Sequence, residues 1–387
     1  MPRRGRSTPG RCCNERAAGL PAGSAASSLA RSPAAGHQPV AQPVQKCLAG
    51  GRHRLPGSRL GGRYQPQPDR SRHRVPVDRD RHVSAYFPNG LSGGLKTMAF
   101  FADFFGLLSQ SPLLSKVLTG ILGLCVGSFL NVVIYRTPKM MQQQWHSECQ
   151  WLLHPDEPVT PEAPLTLSHP ASRCSHCGHQ IRWYENMPVV SWLVLRGKCS
   201  GCHQPISKRY PLVEIITAVL SVMVVTKFGV SLQALAALVF TWTLIALTGI
   251  DFDTQLLPDR FTLPLAGLGL LVNAFGLFVS PTAAIFGYVI GFLCLWVVYQ
   301  LFLLITGKQG MGHGDFKLLA ALGAWLGALM LPLIVFVSAL VGSVIGIVLM
   351  KRAGESKPFA FGPYIAIAGM IALLYGEQIM AWYLGKF

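Results

Sequence analysis

Acidic side chains are scarce in this 387-residue chain. Asp and Glu number 17 against 34 Lys and Arg, and charge of either sign makes up 13% of the sequence against 50% apolar residues. No apolar stretch of roughly 7–15 residues follows the early arginines, which excludes a secretory signal peptide. No Gly-x-Ser-x-Gly elbow is present, and no cysteine within an apolar run has an evident histidine partner, so serine and cysteine nucleophiles find no support. Nor does a Gly-x-Gly-x-x-Gly turn join a strand to a helix, which removes a Rossmann-type nucleotide site.

What is present divides sharply by composition. Residues 1–97 carry Arg, Pro, Gly and Ser without a long apolar run, and hold 17 of the basic and 4 of the acidic residues, a net +13 of the chain's +17. Their arginines are scattered among Pro and Gly without aromatic interleaving, so no nucleic-acid partner is expected. The expected state is a basic disordered extension, lying upstream of a start at Met98; the alternative is an unusual native extension.

The 290 residues from Met98 onward are dominated by apolar segments. About eight answer to the roughly 20-residue membrane criterion, near 113–135, 212–228, 231–250, 261–279, 283–305, 318–330, 331–350 and 360–384. The sixth and seventh form one stretch divided only by Pro332, which leaves a short re-entrant pair as a second option. The expected fold is an all-α polytopic membrane protein of about eight transmembrane helices, with a small zinc-binding cytoplasmic domain in the first loop. With the loop 136–211 inside, alternation puts fourteen Lys and Arg on the cytoplasmic face and only Lys116, Lys227 and Lys386 outside.

The one sizeable polar segment of this part, about 137–211, contains Cys174-Ser175-His176-Cys177 and Cys199-Ser200-Gly201-Cys202. Two Cys-x2-Cys pairs with 21 residues between them read as one knuckle each of a four-thiolate zinc site. A cytoplasmic loop disfavours disulfides. Four thiolates leave no open coordination position, so the metal holds the loop together rather than catalysing. His176, His179 and His203 crowd the site as rival ligands, but read more simply as surface residues. Cys125, Cys149 and Cys294 have no ligand spacing and read as packing.

Two acids stand where an apolar chain resists charge. Asp251 closes the run Phe240–Ile250, and Asp315 closes Gly312-His313-Gly314-Asp315 between two further spans. A carboxylate at bilayer depth costs a few kcal/mol and needs a functional reason or a watery niche. Both fall on the cytoplasmic face by the topology above. If they share a site, one is held protonated as acid while the other activates water, which is aspartic-protease logic. Asp253 and Asp259 have a stronger bland reading as interfacial charges, solvated or paired with Arg260, with Asp259 also placed to cap a helix after Pro258. Glycines 310, 312 and 314 leave a bare backbone able to pass close to another chain. His313 beside Asp315 either tunes the acids or fills space. Gly127, Ser128 and Asn131 form a small polar stretch for helix packing or a hydrogen bond across helices.

Taken in order, Gly127–Arg136, the paired Cys-x2-Cys loop, Ile250-Asp251 with Leu257-Pro258-Asp259, and Gly312–Lys317 resemble the type IV prepilin leader peptidases/N-methyltransferases, membrane aspartyl proteases with a Gly-x-Gly-Asp motif. The resemblance covers 98–387 and none of 1–97. It implies Asp251 and Asp315 as the catalytic pair, with Asp253 the rival for the first role. It implies a multi-pass enzyme of the bacterial cytoplasmic (inner) membrane whose active site and zinc loop face the cytoplasm. Such an enzyme cleaves the leader of type IV prepilins and type II secretion pseudopilins after a glycine, then methylates the new N-terminal amine with S-adenosylmethionine. The resemblance also associates the cysteine loop with methyl transfer.

The donor pocket itself is not located; Glu185, Lys198, Gly201, Lys208, Arg209 and Glu214 are polar or flexible candidates near the loop. The expected organisation is the extension 1–97, a first span 98–136, the zinc loop 137–211 and a peptidase domain 212–387. Other readings are an ion- or proton-coupled carrier with a structural zinc domain, a peptidase without methylation, and a docking module built on the zinc loop.

Overall fold

A computed structural model of the chain describes residues 110–153, 165–307, 310–353 and 360–385, together with Gly106 and Leu108. The expected basic extension 1–97 lies outside the described residues. Among these the structure is helical, with two isolated β-bridges and no strand. The helices are α1 Pro112–Leu153, α2 Val190–Val194, α3 Arg209–Phe228, α4 Leu232–Thr254, α5 Asp259–Ala274, α6 Pro281–Thr306, α7 His313–Leu326, α8 Leu331–Ala353 and α9 Gly362–Tyr383.

Each of the eight expected spans meets a helix. Among the described residues, six helical segments are long and apolar enough to cross a membrane, namely α1, α3, α4, α6, α9 and the segment Ala328–Val348 that includes most of α8. The other two, α5 with 16 residues and α7 with 14, fall short. At 1.5 Å per residue they reach about 24 and 21 Å against a hydrocarbon core of about 30 Å. The protein is therefore a multi-pass helical membrane protein with two short helices packed among the long ones.

Two boundaries differ from expectation. The segment 137–211 begins as helix, because α1 continues through Pro138 to Leu153. The stretch 318–350 breaks at Gly327, whose φ of +79° no other residue type adopts cheaply, and not at Pro332. Pro332 instead sits in the first turn of α8, where its missing N–H costs nothing.

Helix α7 is the centre of the bundle. Apart from Lys317, every residue from Asp315 to Leu326 is buried, as an all-round apolar helix must be. Its C-terminal carbonyls at Ala324 and Trp325 would otherwise be orphaned; Asn273 Nδ2 donates to both, at 2.8 and 2.9 Å. Trp325 Nε1 donates to Leu265 O at 2.7 Å, and its ring lies 4.9 Å from that of Phe240. Gly323 of α7 meets Gly287 of α6 so closely that a Cβ on either would strike the other's carbonyl.

On the other side of the molecule α1 packs on α3 through Gly123 and Gly127, where a Cβ would sit 2.6 Å from Ala218 Cα and 2.7 Å from Glu214 Cα. Asn131, one turn along, donates to Tyr210 O at 3.1 Å, so the small polar stretch of α1 serves both packing and hydrogen bonding.

Gly323→Ala places its new methyl against backbone that cannot yield. Its overpacking is expected to cost about 1–3 kcal/mol. Thermal unfolding in detergent micelles measures this, and an unchanged midpoint would contradict the glycine contact.

Candidate active site and metal centre

Asp251 lies in the last turn of α4 and is 4% exposed; Asp315 lies in the first turn of α7 and is 7% exposed. Helix α4 ends at Gln255, whose left-handed backbone lets its N–H donate to Asp251 O at 2.8 Å. The chain then turns through Leu257 and Pro258 into α5.

Leu257 packs against the glycines beside the two acids. A Cβ on Gly314 would lie 2.6 Å from Leu257 Cβ, and one on Gly362 would lie 3.0 Å from Leu257 Cδ1 and 2.5 Å from Asp251 Oδ2. The ends of α4, α7 and α9 thus converge, and the two carboxylates interact as like charges. Gly362 opens α9 and Asp315 stands in the first turn of α7, so each carboxylate faces the positive end of a helix. Asp251 Oδ2 is buried and makes no hydrogen bond of full geometry among the described residues, the backbone of Gly362 being the group that acts on the carboxylate. A buried acceptor left open is costly in a finished fold and suits an incoming donor.

Asp253 and Asp259 are a different kind of acid. Arg209 Nη1 grips both oxygens of Asp253 at 2.6 and 2.8 Å, and Lys317 Nζ reaches both oxygens of Asp259 at 2.7 Å. Their side chains are 35% and 54% exposed. The expected partner Arg260 turns instead to Gln144 Oε1 at 3.1 Å, and Asp259 is the first residue of α5 rather than its cap, which is Pro258. His313 stacks with Tyr299 and Phe316 at centroid distances of 5.2 and 5.6 Å, which is a packing role. Of the three glycines, Gly314 permits the close approach of Leu257 and Gly310 that of the Phe302 ring, where a Cβ would lie 2.7 Å away, whereas Gly312 is not crowded.

Cys174, Cys177, Cys199 and Cys202 bring their sulfurs within 4.8 Å of one another, and Cys174 Sγ lies 3.8 Å from Cys202 Sγ. A tetrahedron of zinc–sulfur bonds of about 2.3 Å has sulfur–sulfur edges of about 3.8 Å. The two knuckles have the same backbone pattern. Cys174 N–H donates to His179 O and Gly178 N–H to Cys174 O; Cys199 N–H donates to Gln204 O and His203 N–H to Cys199 O, all at 2.9–3.0 Å. The residue after the second cysteine is left-handed in both, Gly178 at φ +71° and His203 at φ +57°.

Backbone amides of Cys177 and His176 hold the Cys174 thiol down at about 6. Against the pull of the Gln204 amide, burial and the sulfurs of the other three cysteines push Cys202 up to about 12. Four thiolates so placed need a cation, and a dication fits the set. No histidine belongs to the cluster: His179 Nε2 is engaged by Glu185 Oε2 at 3.3 Å and Ser200 Oγ at 3.1 Å. The Arg182 N–H and the Ser200 hydroxyl, with His179, hold the Glu185 carboxyl below its usual range.

Beside the knuckles lies a cavity of 490 Å³, walled by the cysteine loop, α1 and the start of α3. Among the donor-site candidates from the sequence, Glu185 and Glu214 line it; Lys198, Gly201, Lys208 and Arg209 do not. Arg209 instead links the regions, since its Nη2 donates to Gly249 O at 3.2 Å while Nη1 holds Asp253, the two residues flanking Asp251 at a distance of two. Arg136 anchors the loop to α1, donating to Thr166 O and Pro170 O at 2.9 and 2.7 Å. Gly362 and the cavity escaped the sequence reading, which had Leu257 only as part of a motif, although the Gly362-Pro363 pair is a local signal for a helix start.

Fold and site together define a multi-pass membrane protein with a buried acid pair at converging helix ends and a four-cysteine centre. Residues 121–228 match the bacterial peptidase A24 N-terminal domain and residues 238–347 the type IV leader peptidase family. The chain is 55% identical over 280 residues to the prepilin leader peptidase/N-methyltransferase of Stutzerimonas stutzeri, a match covering 72% of this chain and 96% of that protein. Identity to the protein of the same name from Pseudomonas aeruginosa is 53% over 279 residues, covering 72% and 96%. For that of Legionella pneumophila it is 43% over 281 residues, covering 72% and 98%. The chain belongs to the type IV leader peptidase family. No solved structure matches it.

If the four sulfurs hold zinc, the purified protein contains one metal per chain by atomic absorption, and Cys199→Ser loses it. Retention of full metal by that variant would place the ion elsewhere.

Proposed function

We propose that this chain is a bifunctional enzyme of the bacterial inner membrane that removes the leader from type IV prepilins and type II secretion pseudopilins and then methylates the exposed amine. The observation that carries the peptidase half is the orphaned, buried Oδ2 of Asp251 beside the charge of Asp315. Two like charges in one buried site do not both ionise freely, so the pair shares a proton and titrates as a unit.

One carboxylate takes a proton from water as the water oxygen attacks the carbonyl carbon of the leader's final glycine. The protonated partner donates to the carbonyl oxygen. Collapse of the tetrahedral species returns a proton to the leaving nitrogen and breaks the C–N bond. The helix N-termini of α7 and α9 stabilise negative charge without having to reorganise. A substrate that is itself a membrane-inserted helix presents its scissile bond at the membrane interface, where the ends of α4, α7 and α9 meet. That interface is the cytoplasmic one by the distribution of Lys and Arg.

Cys174, Cys177, Cys199 and Cys202 would hold a zinc ion, which would serve to fix the two knuckles rather than to catalyse. S-adenosylmethionine supplies the methyl group. Arg209 and Arg136 tie the cysteine loop to the peptidase helices, so the amine is released on the face where the loop stands. Membership of the family displaces the carrier reading.

Membranes containing the protein, incubated with a synthetic prepilin and S-adenosylmethionine and read by mass spectrometry, are expected to lose the leader and gain one methyl. Asp251→Asn and Asp315→Asn each slow leader removal by about 100-fold or more. Asp253→Asn retains most of it, because an exposed ion pair contributes about 0–1 kcal/mol. Undiminished cleavage by either of the first two variants sinks the assignment.

A further inference from the structure

A third acid shares the predicament of Asp251 and Asp315. Glu214 lies on α3, a helix apolar enough to cross a membrane, and is 7% exposed. Unlike the exposed Asp253 and Asp259 it has no cationic partner among the described residues: Oε2 accepts the Val189 N–H at 2.7 Å, and the Ser128 hydroxyl of α1 interacts with the same carboxylate. Val189 makes that bond from φ +59°, a conformation costly for a β-branched residue and one that persists where the surroundings enforce it. Gly127 lets α1 approach until its backbone meets Glu214 Cα. Two features that the fold bears at a cost are therefore spent on holding one carboxylate in place.

The carboxylate lines the 490 Å³ cavity, a volume within the roughly 300–1,000 Å³ of small-molecule sites. Tyr135 and Tyr210 line the same space, the Tyr135 ring already carrying the Lys139 ammonium 3.9 Å from its centroid, and Arg173 lines it at the knuckle side. The lining thus includes a buried acid for a cationic group, a guanidinium for a carboxylate and aromatic residues for a planar base. S-adenosylmethionine combines those parts: a sulfonium and an ammonium, an α-carboxylate and an adenine ring. Tyr210 adjoins Arg209, which is bonded to residues on both sides of Asp251.

We propose that this cavity is the methyl-donor site and that Glu214 faces the cationic end of the donor, an assignment that rests on the methyltransferase reading above. Glu185 braces the first knuckle against the same wall through His179.

The test is equilibrium dialysis of the full zinc-loaded chain in detergent against labelled S-adenosylmethionine, with thermal midpoints on every preparation. Glu214→Gln keeps the shape and an acceptor for the Val189 amide, and is expected to weaken binding about tenfold or more, the loss of one charge-assisted contact. Val132→Trp fills the cavity from α1 and is expected to abolish binding. Ultraviolet crosslinking of the donor to the unaltered protein needs no variant, and the label is expected on peptides spanning 128–136 or 207–214. Unchanged affinity in both variants, or a label confined to other segments, overturns this location while leaving methyl transfer standing. Unchanged donor affinity with methylation lost in Glu214→Gln overturns it too, assigning Glu214 to the acceptor amine. If the unaltered protein binds no donor, the methyltransferase reading itself fails.

Discussion

Keeping two carboxylates buried side by side within an apolar bundle is the constraint that organises this molecule. Asp251 and Asp315 repel one another, and neither has a cationic partner among the described residues. What offsets their burial is backbone: the N-termini of α7 and α9 turned toward them, with Leu257 packed against Gly314 and Gly362. That arrangement tolerates no side chain at Gly314 or Gly362. It also needs α7 held rigidly, which explains the polar clamps Asn273 and Trp325 at its far end and the Gly287–Gly323 contact along its flank.

The same economy appears at the cysteine loop. Its knuckles are small, lack a strand and bury little apolar surface, so metal ligation is the natural source of their stability. Arg136 joins the loop to α1 and Arg209 joins the start of α3 to the end of α4, bringing the proposed chemistries to one face. Two reactions in sequence on a tethered substrate gain from such proximity, since the product of the first need not be captured again from solution.

Much of this was legible in the residues. Apolar runs locate the helices because membrane burial imposes a length and a composition, and Cys-x2-Cys spacing announces a knuckle because the geometry is local. Asp251 and Asp315 are set apart from Asp253 and Asp259 in the sequence by their position against apolar segments and by the motifs around them; in the fold the first pair is buried and the second exposed. The break at Gly327 was misplaced to Pro332, since proline is a visible punctuator although it is harmless in a first turn. The extension of α1 to Leu153 was missed because its polar half carries no membrane signal.

Sequence alone determined the class of protein, the position of the apolar helices, the metal-type cysteine pairs and the short roll of candidate acids, all of which depend on residues close together in the chain. Tertiary structure alone decided which groups meet. Asp251 faces Gly362, Gly314 admits Leu257, Arg209 reaches Asp253, and Glu214 receives an amide from Val189. Those partners lie far apart in sequence, and no local periodicity encodes them. They are set by how closely helices approach, which is decided by glycines whose importance appears only when the neighbouring helix is in place.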